Sequence, residues 1–473
     1  MKLFKNYAVL AGGQIAGRLL GFLAFAWLAR TLDPEAYGAV EYVIGLSVLI
    51  ATLIEGGPNT VAVRRSAQHP SELPGLAYQI LMVRLTLTTV GVPVVALVAL
   101  STMKSAVPAA LVWLFAVSLL PASWRQEWLF QATGRMSNVA AAQVIRAGVF
   151  AAMVWALVST PGDLMRVGWA EIAAVTALTG YCIYIQHTRI TPLRLSGSMR
   201  GFSTLVQESI AAGSSNVVWA MSWYAPLFMI GILIGGAETA WFAAAARVVG
   251  SLLVFGYVYH YGLYPAVARA TLHEDGKLAD LLAGSCRVAA WGGIFAALAL
   301  TLLAEPLMII AMGPKLAPAA PMLQVMAWVL PVSLCTGHAY WPLAAAGAQT
   351  RRLGAQLAGL IAVVGTGLLF GPLADGLGFS FAALAGSVAL WVFAHVFAAR
   401  RGLHPPPFRL VLKPALLAAA ILLAAQALKP GPWLSLAGLA LYAIAAPLLD
   451  RRLLRDLSGL GRITLGAGVA RGS

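Results

Sequence analysis

Charged residues are scarce in this sequence. Of its 473 residues, 10% are charged and 60% are hydrophobic, whereas a soluble domain usually contains about 25% charged residues. A water-soluble fold of this length could not enclose so much apolar surface. The composition therefore predicts an integral membrane protein whose solvent is largely lipid.

Cysteine is also rare, and the usual phosphate-binding loop is missing. The three cysteines, Cys182, Cys286 and Cys335, lie in apolar segments with no CxxC pair and no histidine cluster beside them. This pattern is typical of small buried residues, with a disulfide or metal site as the alternative. No GxxxxGK[ST] loop occurs, so we expect no ATP hydrolysis by this chain. We expect no cofactor either.

Acidic residues are few beside basic ones, which gives a net charge of +15. The basic residues are spread over many short loops and form no block or stripe, so they do not indicate a nucleic-acid partner. Orientation in the membrane and contact with anionic lipid headgroups account for them instead.

Long apolar runs must be helices, because backbone groups in lipid can only be satisfied within the segment. About twenty residues are needed for each crossing. The sequence contains fourteen such runs. The predicted spans are 7–29, 37–57, 78–100, 106–124, 138–159, 167–187, 208–234, 239–263, 284–304, 319–343, 353–374, 377–399, 411–428 and 432–449. We interpret 7–29 as a retained first helix, and 411–449 could instead be a hairpin that does not fully cross.

The loops predict the orientation. If the N-terminus is cytoplasmic, most of the 32 Lys and Arg residues lie on the cytoplasmic side. This excess follows the positive-inside rule and predicts a multi-pass protein with both termini in the cytoplasm. The predicted outer side holds only Arg30, Lys104, Arg166, Lys315 and Lys429.

Matching residues recur about 203 positions apart. The pairs are Glu35 and Glu238, Arg65 and Arg269, His69 and His273, and Arg84 and Arg287. Such an offset indicates a duplication. Each copy has six spans, an even number, so both copies begin on the same side and form a parallel repeat.

The repeat predicts a domain organisation. It comprises an N-terminal six-helix lobe at 1–187, a cytoplasmic linker at 188–207, a C-terminal six-helix lobe at 208–400, and two extra helices with a basic cytoplasmic tail at 401–473. The two lobes are expected to enclose a central cavity.

Three segments resemble the polysaccharide flippases of the MOP exporter superfamily, which also includes multidrug MATE transporters and lipid II flippases. "GQIAGRLLGFLAFAWLARTLDPEAYG" resembles the family's first span and outer turn, although Asp33 replaces the usual Gly. "SWRQEWLFQATGRM" resembles the turn after span 4, and "AEPLMIIAMGPKLAPAAPMLQVMAW" the turn between spans 9 and 10. The likeness covers about residues 1–400.

The resemblance implies a V-shaped, two-lobed transporter whose substrate is undecaprenyl-diphosphate carrying an oligosaccharide. The fourteen predicted spans are closer to the lipid II type than to O-antigen flippases, which are often given twelve. The substrate alternative therefore stays open.

Five arginines lie inside predicted spans, where a charge at mid-bilayer costs about 2.5–3.5 kcal/mol. Arginine stays charged, and its planar guanidinium group can donate two parallel hydrogen bonds to phosphate oxygens. We therefore expect Arg18 and Arg247, aided by Arg146, to hold the diphosphate in a wet cavity. Arg84 and Arg287 lie near the cytoplasmic ends of their spans and would attract it at the mouth, or else serve as interfacial anchors. Glu41 could instead neutralise one of the five.

Other polar residues in the spans are candidates for the sugars and for a coupling ion. The possible sugar contacts are Gln14, Asn216, Gln324 and His338; the alternative for each is an interhelical hydrogen bond. The candidates for coupling to protons or sodium are Glu41, His260, His338 and His395.

The sequence thus predicts a flippase, not an enzyme, which carries a lipid-linked oligosaccharide from the cytoplasmic to the periplasmic leaflet by alternating access. The oligosaccharide would be an O-antigen, capsule or exopolysaccharide repeat unit. The expected partners are this substrate and membrane lipids, with a glycan polymerase and other assembly proteins as further candidates. The alternatives are a lipid II-type flippase, a multidrug antiporter of the same fold, and a membrane glycosyltransferase or polymerase.

Overall fold

The structure is a computed structural model that describes residues 2–102, 108–193, 196–271, 277–428 and 431–464. His273 of the predicted repeat and the predicted outer-side lysines Lys104 and Lys429 lie outside these ranges. The predicted all-α membrane fold is confirmed. No strand occurs in the described ranges.

The described residues form seventeen α-helices. They are α1 Lys2–Thr31, α2 Pro34–Gln68, α3 Leu73–Thr102, α4 Ala109–Ser123, α5 Trp128–Ala132, α6 Met136–Leu157, α7 Leu164–Arg189, α8 Phe202–Leu233, α9 Gly236–Thr271, α10 Lys277–Leu302, α11 Ala304–Met312, α12 Ala320–Met326, α13 Val329–Ala345, α14 Gln349–Ala399, α15 Arg409–Leu428, α16 Pro432–Leu449 and α17 Arg452–Thr464. Short 3-10 helices precede α3, α7 and α12, at Pro70–Glu72, Pro161–Asp163 and Pro314–Ala319.

Twelve helical segments within the described ranges are long and apolar enough to cross a membrane. That set has two members fewer than the fourteen predicted spans, because one predicted span is absent from it and two others form a single segment. The predicted span 106–124 is α4, whose fifteen residues are fewer than the roughly 17–25 that a crossing needs. The predicted spans 353–374 and 377–399 are the two halves of α14. The protein is therefore a multi-pass membrane protein.

Helix α14 is a helical hairpin rather than one rod of 51 residues. The backbone is non-helical at Ala374 and Asp375, where Asp375 has φ 47°. Glycines let the two halves pack closely. A Cβ at Gly359 would lie 3.0 Å from the Gly386 carbonyl oxygen, and one at Gly371 would overlap the Phe379 ring.

One compact unit comprises Met1–Ala244 with Met312–Leu316. Helix α2 begins at Pro34, whose fixed φ suits a first helical turn and whose missing N–H leaves no donor unsatisfied. Its glycines bring α8 close: a Cβ at Gly57 would overlap the Ser209 carbonyl oxygen, and one at Gly45 would lie 3.0 Å from the Tyr224 ring. These contacts make α2 and α8 an antiparallel pair.

The other unit comprises Ala245–Ala311 and Ala317–Ser473. Helix α10 packs against α15 and α16 through a buried cluster that includes Trp291, Ile294, Ile421 and Tyr442. The phenol of Tyr442 donates to the Trp291 carbonyl oxygen at 3.3 Å. The predicted lobes at 1–187 and 208–400 have different boundaries from these two units, and they stay a prediction.

Candidate functional site

Arg18 lies near the middle of α1, sixteen residues after Lys2 and thirteen before Thr31. Its side chain is exposed, whereas Gln14, one turn earlier, is half-buried. A charged side chain exposed to hydrocarbon at this depth is costly, about 2.5–3.5 kcal/mol on insertion scales. The position of Arg18 is therefore best suited to a surface that water reaches.

Helices α1 and α6 run side by side at this level. A Cβ at Gly13 would lie 2.5 Å from Ala140 Cβ, and one at Gly17 would lie 3.4 Å from the Gln143 carbonyl oxygen. The steady offset between the contacting residues means that the two helices run parallel in register. Arg18 on α1 therefore lies at about the level of Arg146 on α6.

Arg146 is already paired. Its Nη2 lies 2.5 Å from Glu171 Oε1 on α7, and the two side chains are 39% and 12% exposed. The pair spans α6 and α7 and neutralises part of the charge. Enough of the guanidinium remains exposed for a second anion to approach it.

Arg84, in contrast, is enclosed. Its side chain is 0% exposed, and its Nη2 lies 3.1 Å from Glu55 Oε1. The same guanidinium donates to the carbonyl oxygens of Ala122, at 2.9 Å, and of Arg125. A diphosphate cannot reach a side chain that has no exposed surface. Arg84 is thus enclosed in this conformation, and its expected role at the cytoplasmic mouth, or as an interfacial anchor, stays a prediction.

Arg84 belongs to a buried charge network that we call the Glu55 network, formed by Glu55, Arg84, Arg125 and Glu127. Arg125 pairs with Glu55, and its Nε lies 3.5 Å from Glu127 Oε1. Gln143 of α6 donates to Glu127 at 3.5 Å. Burial raises the pKa of the Glu127 carboxyl above its usual value. The network thus fixes the α4–α5 turn against α2, α3 and α6.

Sequence reasoning missed this network because it assigned Arg125 to a loop whose charge needed no function. A signal was present: Arg125 and Glu127 both lie in "SWRQEWLFQATGRM", one of the segments that resembles the flippase family. A short turn that carries an arginine and a glutamate two residues apart can form ion pairs with buried acidic and buried basic side chains.

Arg287 of α10 is also enclosed by acids. Its Nε lies 3.4 Å from both Asp450 and Asp456, and its side chain is 8% exposed. Asp456 belongs to α17, and Asp450 lies at the end of α16. The two carboxylates attach the C-terminal helices to α10 and enclose Arg287 in this conformation, and its expected contact with the substrate at the mouth stays a prediction.

The remaining candidates differ in accessibility. Arg247 on α9 is half-buried, and Asn216 on α8 is exposed. The amide of Asn216 lies against α2, where a Cβ at Gly56 would come within 2.9 Å of its Nδ2. Gln324 is exposed, and its Nε2 donates to the Thr301 carbonyl oxygen at 3.4 Å. All three are accessible enough for a ligand to contact.

Two candidates are shielded. Glu41 is 5% exposed and accepts a hydrogen bond from the Tyr37 phenol at 2.7 Å. His338 is 1% exposed, so a sugar cannot contact it in this conformation, and that expectation is wrong here. Both residues are instead buried titratable groups within the helices.

The predicted linker is attached to α3. Gln79 Nε2 donates to the carbonyl oxygens of Ser198, at 3.0 Å, and Arg200, at 3.1 Å. A Cβ at Gly197 would lie 2.7 Å from the Tyr78 ring. Beside this contact is a cavity of about 490 Å³ lined by polar residues of α2 and α3 that include Arg65, Gln68 and Gln79.

The comparisons with known proteins agree with this architecture. Residues 3–271 match the family described as "Polysaccharide biosynthesis protein", which is more than half of the chain. The chain therefore belongs to the polysaccharide biosynthesis protein family. The resemblance to polysaccharide flippases of the MOP superfamily is confirmed.

One curated relative is a "Putative O-antigen transporter" of Escherichia coli (strain K12), 23% identical over 206 residues. That match covers 41% of this chain and 48% of the relative. The match thus spans about half the length of the curated relative.

Solved structures show the same fold. A lipid II flippase MurJ in an inward closed conformation superposes with a TM-score of 0.76 at 12% identity, covering 94% of this chain and 100% of that one. An inward-facing multidrug resistance MATE family transporter gives 0.65 at 14% identity, with 81% and 94% covered. A MOP superfamily transporter from Pyrococcus furiosus gives 0.62 at 14% identity, with 84% and 95% covered.

Proposed function

We propose that this protein is a flippase that carries a polyprenyl-diphosphate-linked oligosaccharide from the cytoplasmic to the periplasmic leaflet of the bacterial inner membrane. Family membership supports a transporter of polysaccharide precursors. The proposed substrate class rests on Arg18, an exposed arginine near the middle of α1. An anionic ligand is the partner that such a residue suits best.

The diphosphate is expected to meet Arg18 first and Arg146 second. Both lie at the same level of the α1–α6 pair, and Arg146 keeps 39% of its side chain exposed beside Glu171. Arg247 would supply a further guanidinium from α9. Two or more guanidinium groups suit a diphosphate, because each of them can bind two phosphate oxygens.

Gln14, Asn216 and Gln324 are the proposed sugar contacts. Amide side chains both donate and accept hydrogen bonds, as hydroxyl groups do. The polyprenyl tail would remain in the bilayer throughout. Alternating access between the predicted lobes at 1–187 and 208–400, linked by 188–207, would expose the headgroup to each side in turn.

Membrane potential supports outward movement. A diphosphate carries about −2, and each charge that crosses 100 mV is worth about 2.3 kcal/mol. With the cytoplasm negative and both termini cytoplasmic, transfer of the anion outward is downhill. Glycan polymerase and other assembly proteins would receive the product at the outer face.

A lipid II-type substrate is the second candidate. The full-length superposition on a lipid II flippase, with both chains almost wholly covered, favours it over a multidrug antiporter, whose structures cover less of this chain. Both substrates present a polyprenyl diphosphate, so Arg18 would serve either. The saccharide distinguishes the two.

The test is translocation by purified protein in liposomes, with a fluorescent polyprenyl-diphosphate oligosaccharide as the probe and quenching from one side as the readout. Arg18→Ala should slow translocation roughly 10- to 100-fold, because a lost hydrogen bond to a charged group costs about 1.5–3 kcal/mol. Arg18→Lys should retain part of the rate.

Arg166→Ala is the matched control, since Arg166 is an exposed arginine at the beginning of α7 that pairs with Asp163. It should leave the rate unchanged. Equal rates for wild type and Arg18→Ala, at equal amounts of folded protein, would overturn the substrate assignment. Competition by unlabelled lipid II and by unlabelled oligosaccharide lipid then identifies the saccharide.

A further inference from the structure

Two histidines face each other inside the second compact unit. His260 of α9 is 5% exposed and His338 of α13 is 1% exposed. Their ring centroids lie 4.9 Å apart, with the planes at 74°. Nothing in the proposed diphosphate site uses either residue, so this pair needs its own account.

Both rings bind the same oxygen atom. His260 Nε2 lies 2.9 Å from the Leu334 carbonyl oxygen, and His338 Nδ1 lies 3.0 Å from it. A carbonyl oxygen only accepts, so each neutral imidazole must direct its single N–H there. We therefore infer the Nε2–H tautomer for His260 and the Nδ1–H tautomer for His338.

This arrangement leaves one lone pair unused. His338 Nε2 is buried and has no hydrogen-bond partner among the described residues. Buried nitrogen atoms of this kind are normally paired, because an unpaired one loses its hydration without replacement. An imidazole nitrogen that lacks a proton is also the basic atom of the ring.

The close approach depends on a glycine. A Cβ added at Gly337 would overlap the His260 ring. Any other residue at 337 would push α9 away from α13 and separate the two histidines. The pair is therefore a feature that the helix packing specifically accommodates.

Within the described ranges, no carboxylate contacts either histidine ring. On α9, the Tyr259 ring lies 6.0 Å from the His338 ring, and its phenol donates to the Ser285 carbonyl oxygen at 2.8 Å. On α10 and α13, the buried thiols Cys286 and Cys335 pack together. The other groups facing α13 are Arg287 of α10, which is bound to Asp450 and Asp456, and His395 of α14, which binds the Trp391 carbonyl oxygen at 3.0 Å.

We propose that the His260–His338 pair is the binding site for the coupling proton of this transporter. A proton from the aqueous side binds His338 Nε2, and no other bond is made or broken. The new imidazolium is enclosed beside a second imidazole with no carboxylate in contact among the described residues. This disfavours the observed packing of α9 on α13 and favours a conformation in which water reaches the ring. Proton binding is thereby linked to conformational change. This inference rests on the proposed transport function.

The first test needs no substrate. Protein labelled with ¹⁵N-histidine, in nanodiscs, reports the tautomer and protonation of each ring by NMR, and His338→Gln and His395→Gln assign the signals. We expect the Nδ1–H tautomer for His338 at high pH and protonation of its Nε2 on acidification. An Nε2–H tautomer, or a ring that stays neutral down to pH values at which the fold is lost, would overturn the proposal.

The second test is transport. In liposomes with the fluorescent polyprenyl-diphosphate lipid, an inward proton gradient should accelerate wild-type translocation several-fold at zero membrane potential. His338→Gln and His260→Gln should lose this acceleration, so that each variant translocates at the same rate with and without the gradient. His395→Gln is the matched control, because His395 is as buried as His260 and binds its own helix as His338 does, yet its ring packs on Trp391 and Phe408 instead of on a histidine.

The two proposals can fail separately. Unchanged acceleration in folded His338→Gln overturns the proton site and leaves the flippase proposal intact. Absence of any wild-type translocation overturns the flippase proposal, while the NMR titration still decides whether His338 binds the proton.

Discussion

The guanidinium of Arg84, which has no exposed surface, lies 3.1 Å from the carboxylate of Glu55 and thereby joins α3 to α2. Arg125 binds the same carboxylate from the α4–α5 turn. One acid therefore serves two arginines. Removing the acid would leave Arg84 enclosed without its counter-charge and Arg125 with Glu127 alone.

Glu55→Gln is therefore expected to destabilise the fold strongly. Breaking a buried ion pair by removing one partner costs about 3–5 kcal/mol. The measurement is the apparent melting temperature of purified protein in detergent. Glu208→Gln is the control, because Glu208 also binds two arginines, Arg64 and Arg65, but is 34% exposed, so its loss should cost only about 0–1 kcal/mol for each pair. Similar melting temperatures for the two variants would show that the Glu55 network adds little.

Contact between α2 and α8 provides a second prediction. A Cβ at Gly57 would overlap the Ser209 carbonyl oxygen, which belongs to backbone and cannot rotate away. Gly57→Ala should lower the apparent melting temperature, with a cost of about 1–3 kcal/mol as for other overpacked sites. Gly180→Ala is the matched control, since Gly180 is also inside a helix and has nothing within 4 Å of its Cβ position. A stable Gly57→Ala with unchanged melting would contradict the close packing of these helices.

The membrane-spanning helices were predictable because the hydropathy and the length of each segment depend only on its own residues. Hydropathy and length predict α1, α2 and α3 from their own residues, and the predicted spans 411–428 and 432–449 agree with α15 and α16. The hairpin at Ala374 and Asp375 was also predicted, as two spans separated by a short polar turn. Helix α4 is shorter than the predicted span 106–124, and the predicted span 319–343 is divided between α12 and α13.

Roles of the arginines were less predictable, because a charge's partner depends on tertiary contact. Glu55 and Arg125 are 70 residues apart in sequence, and nothing local indicates that they meet at Arg84. Depth along a span separates Arg18 from Arg84 and Arg287 in the prediction, and in the structure Arg18 is exposed whereas the other two side chains are buried. It did not show that the latter two are enclosed by acids instead of lying at an open mouth.

The pairing of Arg146 with Glu171 leads to a third prediction. Glu171 competes with an incoming phosphate for the Arg146 guanidinium. Glu171→Gln should therefore lower the apparent KM for the fluorescent diphosphate lipid by up to about tenfold, which corresponds to roughly 1.4 kcal/mol. Stability should change little, because Arg146 is 39% exposed.

The same variant tests the diphosphate assignment. Arg146→Ala alone should raise KM, and adding Glu171→Gln to it should have no further effect on KM. If Glu171→Gln lowers KM equally in the Arg146→Ala background, Glu171 acts on the substrate through another route, and Arg146 is not a phosphate ligand.

The attachment of α17 to α10 provides the last prediction. Asp450 and Asp456 each lie 3.4 Å from Arg287 Nε, so either acid can neutralise the guanidinium when the other is removed. Asp450→Asn and Asp456→Asn should each lower the apparent melting temperature slightly. The double variant should lower it by much more than their sum, because Arg287 is then enclosed and unpaired, at a cost of about 3–5 kcal/mol. Asp33→Asn, which breaks the exposed pair with Lys315, should have little effect.

In the double variant the C-terminal segment after 450 should also become sensitive to added protease, since its charged contact with α10 is lost. Additive shifts with an unchanged digestion pattern would mean that packing of α17, and not the shared arginine, holds the C-terminal segment in place.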